Sequence, residues 1–256
     1  MKKFITALTS NLSLYIYGIL FVLLLWYIIS VSQTYGNLVF PSPLETFAKT
    51  GELLSEGYIY KCIGMTIART LIGFGIAFAS ALVLGLFAGS FPKLKTFLTP
   101  LVTVLKSAPT AAFVFLFLII SGSRYASIYI VILLAFPILY ESVVGGLNSI
   151  TDDIRNAAKI DSGRFFETFF KVKLPLSLRY IVVGLASSFA LSFKTSIMAE
   201  IVAGDTGYGL GSAITSYRNG EPANLVPIFA ITLIAITIIL LVDLASFLIK
   251  RYFKDN

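Results

Sequence analysis

The sequence contains no histidine and one cysteine, Cys62, and only 13% of its 256 residues are charged. Each shortage removes a class of chemistry. Without histidine there is no imidazole-ligated metal site and no Ser-His or Cys-His nucleophile pair. A lone cysteine cannot close an internal disulfide. Soluble domains carry about 25% charged residues, so the scarcity of charge excludes an ordinary soluble enzyme. A G-x-x-x-x-G-K-[ST] phosphate loop is also missing, so any ATP that drives this protein is bound by another chain.

What is abundant is apolar surface. Hydrophobic residues make up 57% of the chain, and the mean hydropathy is +0.89, the mark of an integral membrane protein. A spanning helix needs roughly 20 predominantly apolar residues. Six such segments are expected, at about 12–32, 63–90, 97–121, 125–147, 176–202 and 225–249. The first follows Lys2 and Lys3 but has no small-residue cleavage site after it, so it reads as a retained helix. The fold class is all-α and polytopic, a single domain over 1–256.

Basic residues set the orientation. With the N-terminus in the cytoplasm, 13 of the 20 Lys and Arg residues fall in cytoplasmic segments and four (Lys49, Lys61, Arg124, Arg218) in outer ones. Both termini are therefore expected inside. The net charge of +7 is then mostly topological, meeting anionic lipid rather than nucleic acid.

One segment does not fit a simple bundle. Asn148–Pro175 is the longest polar stretch on the cytoplasmic side, and Asp152–Lys173 within it holds nine of the chain's 33 charges. Asn156-Ala157-Ala158 favours helix, Ser162-Gly163 bends the chain, and Phe165, Phe166, Phe169 and Phe170 share one face of a second short helix. Leu174-Pro175 then opens the next span. Two short helices joined by a bend are expected across the cytoplasmic mouth. An amphipathic surface loop is the plainer reading.

The spacing from Ala158 through Ser162 to Val172-Lys173-Leu174-Pro175 resembles the coupling loop of ABC-importer permeases, usually written E-A-A, three residues, G, nine residues, I-x-L-P. Asn156 stands where that pattern usually has Glu, and Ser162 where it has Gly, with Gly163 one place later. Phe40-Pro41-Ser42-Pro43, Thr66 to Phe74, Ser107-Ala108-Pro109 and Ala199-Glu200 are similar to the nitrate/sulfonate/taurine branch. The resemblance implies a type I importer permease fold with a coupling helix-turn-helix at about 148–175. Asn156, Ala157, Ala158, Ser162, Gly163, Leu174 and Pro175 would dock on an ABC ATPase dimer. The implied partners are that ATPase, an extracytoplasmic substrate-binding protein, a second permease copy and membrane lipid. The implied location is a prokaryotic cytoplasmic membrane. ATP and Mg would be bound by the ATPase, and this chain would hold no cofactor, metal or catalytic residue. The implied solute is small and polar or anionic. An ion-gradient-driven secondary carrier is the alternative, although no convincing repeat relates the two halves.

Several residues inside the spans invite a role. Gly73, Ala77, Ala81, Gly85 and Gly89 form a small-residue stripe suited to packing within the bundle or between two copies. Gly184, Ser188, Ser192, Ser196 and Glu200 form a polar row, read as turned toward a pathway or partner, or else as tight packing with each hydroxyl bonded to its own helix. An ammonium near a helix centre costs about 2.5–3.5 kcal/mol on insertion scales, so Lys194 should face the interior or a watery cavity. It would either pair with Glu141 or Asp243, or bias a cavity toward anions. Lys194, Ser192, Ser196 and Glu200 are thus the pathway candidates. Lys106 and Arg69 sit nearer span ends, where they can snorkel, a pathway role being the lesser reading. The Gly-rich stretch Gly204–Gly211 is expected to face outward as a docking face or gate.

Overall fold

A computed structural model describes residues 11–32, 40–107, 109–150, 171, 174–204, 207–220 and 225–255. These residues are helical, with no strand among them. In chain order the helices are α1 (Asn11–Val31), α2 (Pro43–Ser55), α3 (Gly57–Ser90), α4 (Pro92–Ser107), α5 (Thr110–Ser121), α6 (Ser123–Asn148), α7 (Leu174–Ala203), α8 (Leu210–Asn219) and α9 (Leu225–Asp255).

Helices α1, α3, α6, α7 and α9 are each long and apolar enough to cross a bilayer. The remaining expected span is split. α4 and α5 are separate helices inclined at 97°, so they count as one crossing only if taken together. Pro109 explains the division. It has no N–H to donate, and it disfavours the helical region for the residue before it. Pro109 instead caps the new helix, accepting from the Ala112 N–H at 3.0 Å.

Two short helices were not anticipated. α2 begins with a full capping box: the Glu45 N–H donates to Ser42 Oγ at 3.3 Å, and the Ser42 N–H donates to Glu45 Oε2 at 3.1 Å. α8 begins inside the Gly-rich stretch, with Gly209 at its N-cap.

α6 is the most enclosed of the long helices, and α3 packs along it. The small-residue stripe of α3 makes that possible. A Cβ on Gly73 would stand 2.8 Å from the Ile128 carbonyl oxygen, and one on Gly85 would stand 2.8 Å from Val143 Cβ. Ala77 and Ala81 are fully buried. The stripe therefore serves packing inside this chain, where small residues let two backbones approach.

A second core lies at the opposite end of the bundle. Leu53 of α2, Ile59 and Cys62 of α3, Phe193 and Ile197 of α7, Leu210 of α8 and Ile231 of α9 cluster there. α1 stands at the edge, fastened by Trp26 Nε1, which donates to the Pro41 carbonyl at 3.0 Å.

Candidate functional site

Charges inside a bilayer must find partners or water. The described spans hold three such pairs, and they fall into two kinds.

The first pair is enclosed. Arg69 of α3 and Glu200 of α7 meet with Nη1 2.9 Å from Oε1, and both side chains are almost wholly buried. Further donors complete the carboxylate. Thr66 Oγ1 donates to Oε2 at 2.8 Å, and the Gly211 N–H in the first turn of α8 donates to the same oxygen at 3.1 Å. The Leu210 N–H donates to Thr66 Oγ1 at 2.9 Å, and Arg69 Nη1 also donates to the Tyr208 carbonyl at 2.7 Å. The free N–H groups of a helix start favour negative charge, which is why α8 docks here. Gly204 ends α7 at φ +79°, its N–H donating to the Glu200 carbonyl at 3.1 Å.

Arg69 therefore does not snorkel, and Glu200 offers no surface. The rest of the expected polar row behaves likewise. Ser192 and Ser196 are buried inside the chain. Ser188 Oγ donates to the Gly184 carbonyl and Ser192 Oγ to the Ser188 carbonyl, each at 2.7 Å. Within this chain the row is an internal packing face, with Ser196 Oγ buried and without a hydrogen-bond partner among the described residues. Small polar residues satisfied by their own helix can pack as closely as alanines, so the composition alone admits both outcomes.

The other two pairs are open. Lys194 of α7 donates to Asp243 Oδ2 of α9 at 3.1 Å, with the two side chains 48% and 42% exposed. Asp243, not Glu141, is thus its partner. Glu141 of α6 is held by Lys106 of α4, whose Nζ donates to both carboxylate oxygens at 2.9 Å.

Helix geometry puts both open pairs on one side of the bundle. Gly184 of α7 packs on Ser142 of α6, and Gly146 packs on Ser177 and Tyr180, so the two helices run antiparallel. Toward its C-terminal end the exposed row of α6 is Glu141, Gly145 and Asn148, and that of α7 includes Leu191, Lys194 and Met198. At 100° per residue the contact line lies roughly 60–160° further round α6 than the row of Glu141, Gly145 and Asn148, and roughly 20–100° further round α7 than that of Leu191, Lys194 and Met198, both in the direction of increasing residue number. In antiparallel helices that shared sense carries both rows to the same side. Gly184 is level with Ser142, so Lys194 stands ten residues, or about 15 Å, above the Glu141 level. The pairs straddle the midpoint of α7.

Leu174 and Pro175 form the first turn of α7. Asn156, Ala157, Ala158, Ser162 and Gly163 lie outside the described residues.

The chain matches the family model described as binding-protein-dependent transport system inner membrane component, over residues 81–254. It is 31% identical over 199 residues to a bicarbonate transport system permease protein of Synechococcus elongatus, covering 72% of this chain and 70% of that protein. It is 29% identical over 197 residues to a nitrate import permease protein of Leptolyngbya laminosa, covering 76% and 69%. In structure it is similar to the MetNI methionine ABC transporter in an inward-facing conformation, with TM-score 0.60 and 20% identity, covering 77% of this chain and 94% of that one. These relatives favour an ABC permease over an ion-gradient-driven carrier. The chain belongs to the binding-protein-dependent transport system inner membrane components, the multi-pass permease subunits of ABC importers that work with a separate ATPase and a binding protein.

Proposed function

We propose that two copies of this chain face each other across the α4–α6–α7–α9 side and form between them the passage for a small anionic or polar solute. The observation that carries this is the pair of open ion pairs on one face, Lys106–Glu141 and Lys194–Asp243. Elsewhere the exposed surface of the spans is dominated by Leu, Ile, Val and Phe, as on α1 and α9. Four ionised side chains turned to hydrocarbon would each cost several kcal/mol, on the order of 3 on insertion scales. Turned to a second copy across a water-filled passage, they cost little.

The Lys and Arg bias supports a cytoplasmic position for the Asn148–Leu174 end of the bundle and for both termini. There the 148–175 segment, with Asn156 to Ala158 and Ser162-Gly163, docks on the ATPase dimer. The Tyr208 end meets the binding protein. ATP binding draws the two coupling segments together, favouring the outward-open state by its differential affinity for the two conformations. Hydrolysis, carried out by the ATPase, resets it. This chain contributes no catalytic group, and ATP and Mg stay with the ATPase. The anionic character is in keeping with the bicarbonate and nitrate relatives.

Co-purification with the cognate ATPase, followed by reconstitution with the binding protein, tests the proposal. Ala158→Glu and Gly163→Trp should abolish ATPase association while the helical fold persists. Unchanged association, or solute uptake that needs no ATP, would overturn it.

A further inference from the structure

Below the Lys106–Glu141 pair, α4 and α6 part to leave a groove of about 310 Å³, lined by Lys95, Thr99, Thr103, Tyr140, Glu141 and Asn148 among others. It opens along the exposed row of α6, and so onto the passage proposed above. Three features give it a chemical preference.

First, its charge is unbalanced. Glu141 is occupied through both oxygens by Lys106. Lys95 has no ion-pair partner among the described residues. The local sum of Lys95, Lys106 and Glu141 is one positive charge. Second, Tyr140 is 4% exposed, and its hydroxyl is buried with no hydrogen-bond partner among the described residues, although the residue lines the groove. A buried phenol left unpaired is costly unless something accepts its proton. Third, the threonine hydroxyls are already committed. Thr99 Oγ1 donates to the Lys95 carbonyl at 2.8 Å and Thr103 Oγ1 to the Thr99 carbonyl at 2.9 Å. The donors left for a ligand are a cation, a phenol and the Asn148 amide, a set weighted toward an acceptor that carries negative charge.

We propose that this groove is a binding station for a small oxyanion in the half of the passage nearest the Asn148 end, with Lys95 and Tyr140 as its specificity-determining residues. Lys95 supplies the attractive charge, and Tyr140 donates one hydrogen bond to an anion oxygen. Glu141 holds the second lysine, Lys106, in place through both its oxygens. The station rests on the permease reading, because the groove must open to a passage and not to lipid. A phosphate headgroup offers the same oxygens, so the test must separate a free anion from a lipid.

Thr103→Cys places a thiol on the groove wall, while Cys62 is buried and the parent chain supplies the blank. The variant, in complex with its ATPase, is reconstituted in phosphatidylcholine vesicles with and without phosphatidylglycerol. It is labelled with a sulfonate-bearing or a trimethylammonium-bearing methanethiosulfonate reagent, with rates normalised to a free thiol. A site one charge positive should favour the anionic reagent by about tenfold. Nitrate or ethanesulfonate should slow labelling in phosphatidylcholine alone. Lys95→Gln should erase the preference, and Tyr140→Phe should erase the protection while leaving most of the preference. Equal rates for the two reagents, no protection by either anion, or protection only when phosphatidylglycerol is present would overturn the station. ATPase association is read on the same samples. If it persists while the preference is absent, the station alone falls; if it is lost in the parent chain, the permease reading falls.

Discussion

Arg69 and Glu200 are 131 positions apart in sequence and 2.9 Å apart in space, and neither has meaningful contact with solvent. The carboxylate is also where α3, α7 and α8 converge. Breaking a buried pair by removing one partner costs about 3–5 kcal/mol, because the other charge is stranded. Arg69→Met is therefore expected to lower the thermal unfolding midpoint of the purified protein sharply. Arg69→Met with Glu200→Gln should lose less than the two single changes summed. Strict additivity in that double-mutant cycle would show that the two side chains do not depend on one another.

The open pair should behave in the opposite way. An exposed ion pair contributes about 0–1 kcal/mol, so Lys194→Met and Asp243→Asn should leave the melting temperature nearly unchanged. Uptake by the reconstituted importer should fall. A collapse in melting temperature with transport per folded molecule intact would mark the pair as structural.

Glycines of α3 should divide by their surroundings. Gly85→Val meets Val143 at once and should destabilise by about 1–3 kcal/mol through overpacking. Gly75 has nothing within 4 Å of a Cβ, so Gly75→Ala should be neutral or gain up to about 1 kcal/mol from helix propensity. Comparative melts of the two variants check this. Equal effects would mean that the α3–α6 approach is looser than the distances imply.

Ser42 caps α2 through its hydroxyl. Ser42→Ala should cost about 0.5–2 kcal/mol, concentrated in that helix. Amide hydrogen exchange should quicken at Glu45 and Thr46 and stay unchanged in α6. Uniform acceleration across the chain would instead mean that α2 and the bundle unfold together.

Much of the architecture was legible in the sequence because a bilayer makes hydropathy a strong signal. The long helices lie where their apolar runs predict, and Asp243 was one of two partners foreseen for Lys194. Other features were hidden for physical reasons. Hydropathy sums over Ser107-Ala108-Pro109 without registering that a proline can divide one crossing into two inclined helices. The Ser-x-x-Glu signature at Ser42 and Glu45 was present but lay in a segment too short and mixed to stand out. The Gly-rich stretch concealed the start of α8. The serine row was ambiguous in principle, since small polar residues suit a tight internal contact as well as a wet one. Arg69 and Glu200 each raised the question of a partner, but the distance between them in the chain gave no cue that they answer each other.

The fastening of α1 carries a consequence of its own. Trp26 and Ser30 hold it through the Pro41 and Phe40 carbonyls, and Trp26 also packs against Phe47 and Phe229. Along the rest of the helix, from Leu14 to Leu25, the apolar side chains lie largely open within this chain. Lipid accepts any apolar shape, whereas the α3–α6 seam accepts few. Substitutions that preserve oiliness should therefore accumulate freely across Leu14–Leu25 while the Gly73–Gly89 stripe stays fixed. The two helices, adjacent in composition, would then age at very different rates.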